Sequence, residues 1–573
     1  MKRFILLWAI LLAPALQAQQ VQVQEYVLPN GLRLLMMPKK GDPNVAAGWL
    51  ARVGSVNERP GITGLSHLFE HMMFKGTHAI GTKDIKKDLE LMARMDVIKE
   101  DIRKEEQAQI QRLRRGEIKD LADPGSRTAR HKELLAELAK IEQESKALII
   151  PNEFDRIYTS AGASSLNAGT TEDYTLYFVN IPANKLELWF WMESDRLLNP
   201  VFREFYAERD VVYEERRMRT DSTPTGKYEE QFNALFWTSS PYSWPVVGWP
   251  SDLDGITRQE ALDYFAVNYA SNNITACLVG DFDPAQARIL AERYFGRLKR
   301  NPQKQPPVRT REVEQVAEKR MIAYAETNPQ VDIRYHSVAD GHVDEPALIV
   351  LGSLLTGKTG RLYKSLVLDQ KIANSASAGQ NGMKWEGYFF MDAVAKPGNA
   401  PEAVEQALYR EIEKLQKERV DARELQKVKN QFAAENYRRL ESRFFLMLQL
   451  LVADSNRGWQ SFNEDPRRIA AVTAEDVQRV ANLYFKPENR AVGLYYTKKT
   501  EAGEEDPLLT KLTDQEKIQV GQFKKAVAGM STDEARKILQ KLEAQIASAP
   551  PEDKSFVEAL HQLLLKKLQE GGK

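Results

Sequence analysis

His67 and His71 stand four residues apart, with Glu70 just before the second, in the stretch His67-Leu68-Phe69-Glu70-His71. On a helix, positions four apart share a face, so both imidazoles can reach one metal ion. Glu70 is three residues from His67 and lies on the same face. Zinc takes imidazole ligands and lowers the pKa of a water it polarises to roughly 7. A carboxylate within the same turn can then take the proton. Nucleophile and general base thus come from one helical turn, in the inverted order of a zinc-peptidase signature. The chain has seven histidines among 573 residues, so chance supplies such a pattern rarely. The bland alternative is a surface helix with two solvated histidines.

Two imidazoles leave a catalytic zinc site one protein ligand short, because such sites hold three and keep one position open. The best carboxylate source is Glu208-Arg209-Asp210-Val211-Val212-Tyr213-Glu214-Glu215-Arg216, an acidic, helix-forming segment. Glu208 and Glu215 are seven apart and hence on one face. Glu215 could coordinate the metal while Glu208 orients a histidine or the water. On the residues alone, an ordinary charged helix face explains this segment as well.

The elements that must position these groups follow from pattern. Strand-like segments between Val21 and Met37 flank the hairpin turn Asn30-Gly31, and Ala46 to Val53 reads as a strand. Gly61-Ile62-Thr63-Gly64 turns the chain, and Leu65 opens the helix that carries the two histidines. From about 84 to 152 the chain is dense in Lys, Glu, Arg and Gln. Ile85, Leu89, Met92, Met95, Ile98 and Ile102 form one apolar stripe there; Leu134, Leu135, Leu138, Ile141 and Leu148 form another. Asp123-Pro124-Gly125-Ser126 separates them, which predicts a long antiparallel helical hairpin. It is either a solvated spur, or a partner arm or wall of a substrate chamber.

Strand character resumes at Leu166 to Val179, followed by helices over Lys185 to Leu198 and Arg203 to Arg219. A helix at Arg258 to Ala266 and a strand at Ile274 to Gly280 finish a first αβ unit. Asn301-Pro302-Gln303-Lys304-Gln305-Pro306-Pro307 has linker composition. A second αβ unit repeats the broad order of the first and ends on a strand at Arg490 to Tyr496. Asp506 to Lys573 is helical in pattern, broken at Ala549-Pro550-Pro551, and is expected to pack on the body as a helix pair. The expected class is α+β, with two related αβ domains in tandem at 19–300 and 310–500 and a linker at 301–309. The first domain carries the 84–152 insertion, and a helical extension follows at 501–573.

Residues 1–18 are expected to be a signal peptide. Lys2 and Arg3 precede the apolar run Phe4 to Leu12, and Ala13-Pro14-Ala15-Leu16-Gln17-Ala18 offers a small-residue cleavage site. An uncleaved anchor is the alternative. No other stretch is long and apolar enough to span a bilayer. The mature chain is therefore expected to be exported, soluble and periplasmic, without stable membrane insertion. Cys277 is the only cysteine, so no internal disulfide can form. Within Ile274-Thr275-Ala276-Cys277-Leu278-Val279 it has the setting of a packed core thiol rather than a nucleophile. The 80 acidic and 80 basic residues cancel, which gives no electrostatic case for nucleic acid.

Taken together, these stretches resemble the pitrilysin and mitochondrial processing peptidase family of inverted zinc peptidases, over most of residues 22–497. Gly64-Leu65-Ser66-His67-Leu68-Phe69-Glu70-His71-Met72-Met73-Phe74-Lys75-Gly76-Thr77 is similar to the family's metal helix. Leu166-Asn167-Ala168-Gly169-Thr170-Thr171-Glu172-Asp173-Tyr174-Thr175 is similar to its substrate-side edge strand. Glu208 to Glu215 is similar to its third-ligand helix, and Gly280-Asp281-Phe282 to the close of its first domain. The resemblance implies one zinc ion per chain, held by His67, His71 and Glu215. Glu70 would act as base on a zinc-activated water, and Glu208 would support the site. Glu215 is favoured over the adjacent Glu214 because the family's ligand follows its supporting glutamate by seven positions. The tandem domains would be of the processing-peptidase type, the second non-catalytic. Glu215 lies 144 residues after His71, farther than in the family, and the 84–152 insertion accounts for the excess. A substrate adding as an extra strand would bond through its own backbone. The resemblance places Asn167 and Ala168 near the scissile bond; an ordinary solvated edge strand is the alternative.

One departure matters. The family's second domain carries an arginine and a tyrosine, seven residues apart, that help hold substrate near the zinc. Aligned on Arg361-Leu362, the arginine position holds Val367 and the tyrosine position holds Asn374. Valine offers no donor, and asparagine is short and lacks a phenol. Arg361 and Tyr363 stand at the wrong spacing. The expectation is a metal-bearing subunit whose related partner chain supplies the missing pair; a self-sufficient monomer or a homodimer is the alternative. The leading functional reading is a zinc-dependent endopeptidase acting on peptides or unfolded segments. A non-catalytic structural or assembly subunit keeping the fold is the second reading, and a zinc-storage or sensor protein the third.

Overall fold

Seven strand residues in a row at Ile274–Gly280, and seven of the eight at Asn44–Ala51, are buried, which requires cover on both faces of their sheet. The cover is shared between the two halves of the chain. In the computed structural model, residues 20–498 are described apart from 122 and 303–304, together with parts of 512–550 and 554–570. The signal-peptide expectation for 1–18 lies outside the described residues, as do 501–511 of the expected extension.

The first sheet contains β1 (Gln24–Val27), β2 (Arg33–Pro38), β3 (Asn44–Ala51), β4 (Ser164–Thr170), β5 (Thr175–Pro182) and β6 (Ile274–Gly280), in the order β1-β2-β6-β3-β5-β4. Only β2 and β6 run parallel. The second contains β7 (Lys319–Ala325), β8 (Gln330–Ser337), β9 (Ala373–Gly382), β10 (Gly387–Ala395) and β11 (Arg490–Thr497), in the order β7-β11-β8-β10-β9. Here β7 and β11 are the parallel pair. Matching β2 to β7, β6 to β11, β3 to β8, β5 to β10 and β4 to β9 reproduces the same topology, so the two αβ domains repeat one design.

Alternation along the strands sends side chains to two cores. Val45, Ala47, Trp49 and Ala51 of β3, with Ile274, Ala276 and Leu278 of β6, face the helices of the first half. Ala46 and Leu50, with Cys277 and Val279, face the opposite way, against Leu446, Met447, Leu450 and Leu451. Those four leucine and methionine side chains belong to a helix of the second half, Arg443–Asn456. Reciprocally, Phe232 and Phe236 from the first half lie against Ala491, Met321 and Tyr388 of the second sheet. Asp454 fastens the exchange: it is fully buried and pairs with Arg33 at 2.8 Å and Arg52 at 2.6 Å.

The elements nearest the candidate site are α1 (Leu65–Met72), α2 (Ile85–Arg114), α3 (Ala129–Leu148), α4 (Glu153–Ser160), α5 (Leu186–Leu198), α6 (Phe205–Arg216) and α7 (Gly226–Phe236). α2 and α3 form a helical hairpin with its own apolar seam. Asp84 caps α2 by accepting from the Lys86 and Lys87 N–H groups, and Thr128 caps α3. Leu89, counted in the apolar stripe, is instead 40% exposed, and Leu91 is the residue turned inward. Two ion pairs fix the hairpin's root: buried Arg203 to Asp88 at 2.5 Å, and Arg258 to Asp96 at 2.5 Å. Taken by itself, the C-terminal unit contains the paired helices Thr532–Ser548 and Lys554–Glu570, which meet through Ala535, Leu542 and Leu564. Among the described residues, no helix is long and apolar enough to cross a membrane.

Candidate metal centre

The short helix α1 starts where Glu58 holds its first turn. The Glu58 carboxylate accepts the Gly64 N–H at 2.8 Å and the Ser66 N–H at 2.6 Å, two donors that helix geometry leaves free. Leu65, Leu68, Phe69 and Met72 turn into the first core. His67, Glu70 and His71 remain on the face that meets α6 and the edge strand β4. α6 brings the third group: Glu215 Oε2 lies 3.2 Å from His71 Nε2 and 3.6 Å from His67 Nε2. The three candidate ligand atoms lie within 4.8 Å of one another, and among the described residues no other such trio of His, Cys, Asp or Glu occurs. Two imidazole nitrogens and one carboxylate oxygen form a donor set that fits a catalytic zinc ion.

The two histidines are held differently. Burial, reinforced by the neighbouring His71, pushes His67 down to about 4, so its ring is neutral as a ligand must be. Its Nδ1 has no hydrogen-bond partner among the described residues. Burial also pulls on His71, but the Glu208 hydrogen bond and the charges of Glu208, Glu215 and Glu70 outweigh it and leave His71 raised. A carboxylate can only accept, so the His71 proton sits on Nδ1 and donates to Glu208 Oε1 at 3.0 Å. The Nε2 lone pair then faces Glu215. Glu208 Oε2 in turn takes Lys75 Nζ at 2.5 Å. Burial pushes Glu208 up, yet the bonds from His71 and Lys75 prevail and hold it lowered, hence ionised. Glu215 gives its other oxygen to Arg219 at 2.8 Å.

Glu70 lies beside this trio. Burial raises its pKa, opposed by the Thr170 hydroxyl, which donates to Oε2 at 2.7 Å. Thr170 ends β4, the outermost strand of its sheet. Asn167 and Ala168 pair with Phe178 and Tyr177 of β5, past a bulge at which Ser165 takes a φ of 55°. The Ala168 N–H donates to the Asn167 side chain at 2.9 Å. A cavity of about 510 Å³ opens beside Glu70 and His71, and Asn167 lines it. Its far wall is Ile149 to Phe154, where the chain returns from the hairpin.

In the second half, Val367 packs against that half's core, and the Asn374 amide donates to the Ala395 carbonyl at 3.5 Å. Arg361 is engaged by Glu424 at 2.6 Å. Sequence reasoning named His67, Glu70, His71, Glu208 and Glu215, which the structure brings to one place. It assigned no role to Thr170, Lys75, Arg219 or Arg203. Arg219 carries a local signal, four residues after Glu215 in the segment read as helix, and Lys75 lies four residues after His71; the partners of Arg203 are more than a hundred residues away.

Two family models match the chain: insulinase (peptidase family M16) at residues 34–96, and the peptidase M16 inactive domain at 255–432. A zinc protease of Helicobacter pylori, PqqE, is 26% identical over 473 residues, covering 81% of this chain and 90% of that one. The crystal structure of a protease from Helicobacter pylori superposes with a TM-score of 0.68 at 23% identity, over 83% of this chain and 99% of that one. The periplasmic protease PqqL from Escherichia coli gives a TM-score of 0.60 at 16% identity, over 83% of this chain but only 48% of that one.

Proposed function

Since the chain belongs to the M16, pitrilysin-type family of peptidases, we propose that it is a zinc-dependent endopeptidase cleaving peptides or unfolded polypeptide segments. The observation that carries this reading is the meeting of His67 Nε2, His71 Nε2 and Glu215 Oε2 within 4.8 Å, with Glu70 on the same turn. One zinc ion per chain, when bound by these three, acidifies a water and polarises the scissile carbonyl. Glu70 takes the water's proton and passes it to the leaving nitrogen. Burial suits Glu70 to that exchange by raising its proton affinity. Glu208 keeps the His71 proton on Nδ1. The extended substrate lies along β4 beside Asn167 and Ala168, recognised mainly through its backbone.

The reading extends to a partner. The chain is the metal-bearing subunit of a heterodimer, and a related chain supplies the arginine and tyrosine absent at Val367 and Asn374. The half-length match to the Escherichia coli protease supports this, because that chain has room for a second set of domains. A periplasmic location fits the leader-like residues 1–18 and the periplasmic setting of that relative. The second reading is a non-catalytic assembly subunit, favoured only by the description of the 255–432 family model as inactive. The intact His67, Glu70, His71, Glu208 and Glu215 set counts against it, since a scaffold needs none of them.

The test is cleavage of an unstructured quenched peptide by the mature chain, with zinc content measured alongside. Glu70→Gln is expected to keep the metal and lose about 10²- to 10⁴-fold in turnover. Unchanged turnover in that variant sinks the assignment of Glu70. Full activity of the purified wild-type chain alone sinks the heterodimer, and activity appearing only with a related subunit supports it.

A further inference from the structure

We propose that Lys75 is a positioning residue of the metal centre, fixing the carboxylate that orients His71. The proposal rests on the zinc-peptidase reading. Glu208 is only 8% exposed, and its two oxygens have separate tasks: Oε1 accepts from His71 Nδ1 at 3.0 Å, and Oε2 from Lys75 Nζ at 2.5 Å. A carboxylate facing only an imidazole can rotate and exchange its oxygens. Pinned from the far side by an ammonium, it presents one oxygen at one angle, and the imidazole plane follows. Glu204, 3.7 Å from Lys75 Nζ, gives the ammonium a second carboxylate neighbour.

The backbone of Lys75 is held as firmly as its side chain. Arg203 is 1% exposed, and its guanidinium donates to the carbonyls of Lys75 at 2.6 Å, Thr77 at 3.1 Å and Ile80 at 3.2 Å. The loop wraps the guanidinium closely at two glycines, Gly76 and Gly81, with φ of +92° and +94°. A Cβ at either position would come within 2.9 Å or 2.7 Å of Arg203 Nη1. Asp88, in the first turn of the inserted hairpin, supplies the guanidinium's carboxylate. The insertion is thus tied to His71 through Asp88, Arg203, Lys75 and Glu208 in succession. This gives the hairpin's root a task at the metal centre that a solvated spur would lack.

Lys75→Met keeps the apolar stem and removes the charge; Lys75→Arg restores a cation. In the full chain, zinc affinity is read by chelator competition, and ligand geometry by the visible spectrum of the cobalt(II)-loaded protein. Lys75→Met is expected to weaken zinc about 10-fold, the lower end of the range for lost outer partners of a metal ligand. It should alter the cobalt spectrum without moving the melting temperature, and Lys75→Arg should recover both. In a Glu208→Gln background the Lys75→Met change should add nothing further, because the lysine acts through that carboxylate. Wild-type metal binding with a Lys75→Met variant indistinguishable from it overturns the proposal, and so do fully additive losses in the double variant. A wild-type chain that takes up neither metal overturns the zinc-peptidase reading itself.

Discussion

The two candidate histidine ligands differ in what holds them, and that difference shapes what single substitutions do. Among the described residues nothing hydrogen-bonds His67 Nδ1, whereas His71 Nδ1 is steered by a carboxylate and, through it, by an ammonium. Among the described residues, the candidate base Glu70 has one side-chain donor, the Thr170 hydroxyl at 2.7 Å, besides a bond to the Thr170 backbone. Thr170→Val keeps the shape and removes the donor. The bond lowers the proton affinity of Glu70, so its worth to turnover lies in aiming the carboxylate, and with that aim lost kcat should fall about 10-fold or more while KM stays near its starting value. Steady-state kinetics on the unstructured peptide decide it, and equal kcat in both proteins removes Thr170 from the base's support. The histidine–glutamate spacing was legible because all three groups lie on one helical turn. Thr170 was within a stretch recognised for its edge-strand pattern, yet its partner lies 100 residues away, and no local pattern encodes such a contact.

At the scale of elements, the hairpin was readable because its apolar residues recur at helical spacing and Asp123-Pro124-Gly125-Ser126 breaks the run. Its stripe was slightly misjudged at Leu89, because spacing alone leaves the choice between Leu89 and Leu91 to the packing of the root. The way the hairpin is fastened was not readable at all. Asp88 stands in a charged run and Arg203 beside Phe202 and Glu204, with nothing in either stretch to pair the two, and both prove to be buried. Removing one member of a buried pair strands the other, at a cost of about 3–5 kcal/mol. Losing a helix cap costs about 1 kcal/mol. Asp88→Ala is therefore expected to lower the urea midpoint several times more than Asp84→Ala, which removes only the cap of the same helix. Equal shifts in the two variants would show that the guanidinium's three carbonyl partners suffice without the carboxylate.

The class of two related αβ domains was legible from the repeated order of strands and helices, but the exchange of helices between the halves was not. Arg443–Asn456 and α7 have amphipathic patterns that fit cover for their own sheets as well as for the other's. The exchange buries polar groups beneath α7. Asp332 of β8 and Asp392 of β10 are cross-strand partners that share a side-chain hydrogen bond. Arg334 beside them pairs with Asp332 at 3.2 Å and reaches Asn233 of α7 at 3.0 Å. Glu229 of α7, Tyr388 of β10 and Tyr495 of β11 are the other titratable groups acting on this cluster. Burial first, and then the charge of Asp332, push Asp392 up to about 7; burial raises Asp332 too, against the pull of Arg334. A carboxyl raised in the fold gives stability that is fully present below its unfolded value near 3.8 and is lost as pH rises through about 7. One proton's release changes stability by at most about 1.4 kcal/mol per pH unit. The melting temperature should therefore decline between about pH 4 and pH 7, beyond what the other groups contribute, and this group's share should level off above that. Asp392→Asn keeps a neutral partner for Asp332 at every pH and should flatten that decline. Parallel melting curves for the two proteins across this range would show that the pair releases no proton there, and that α7 docks on the second sheet independently of its charge.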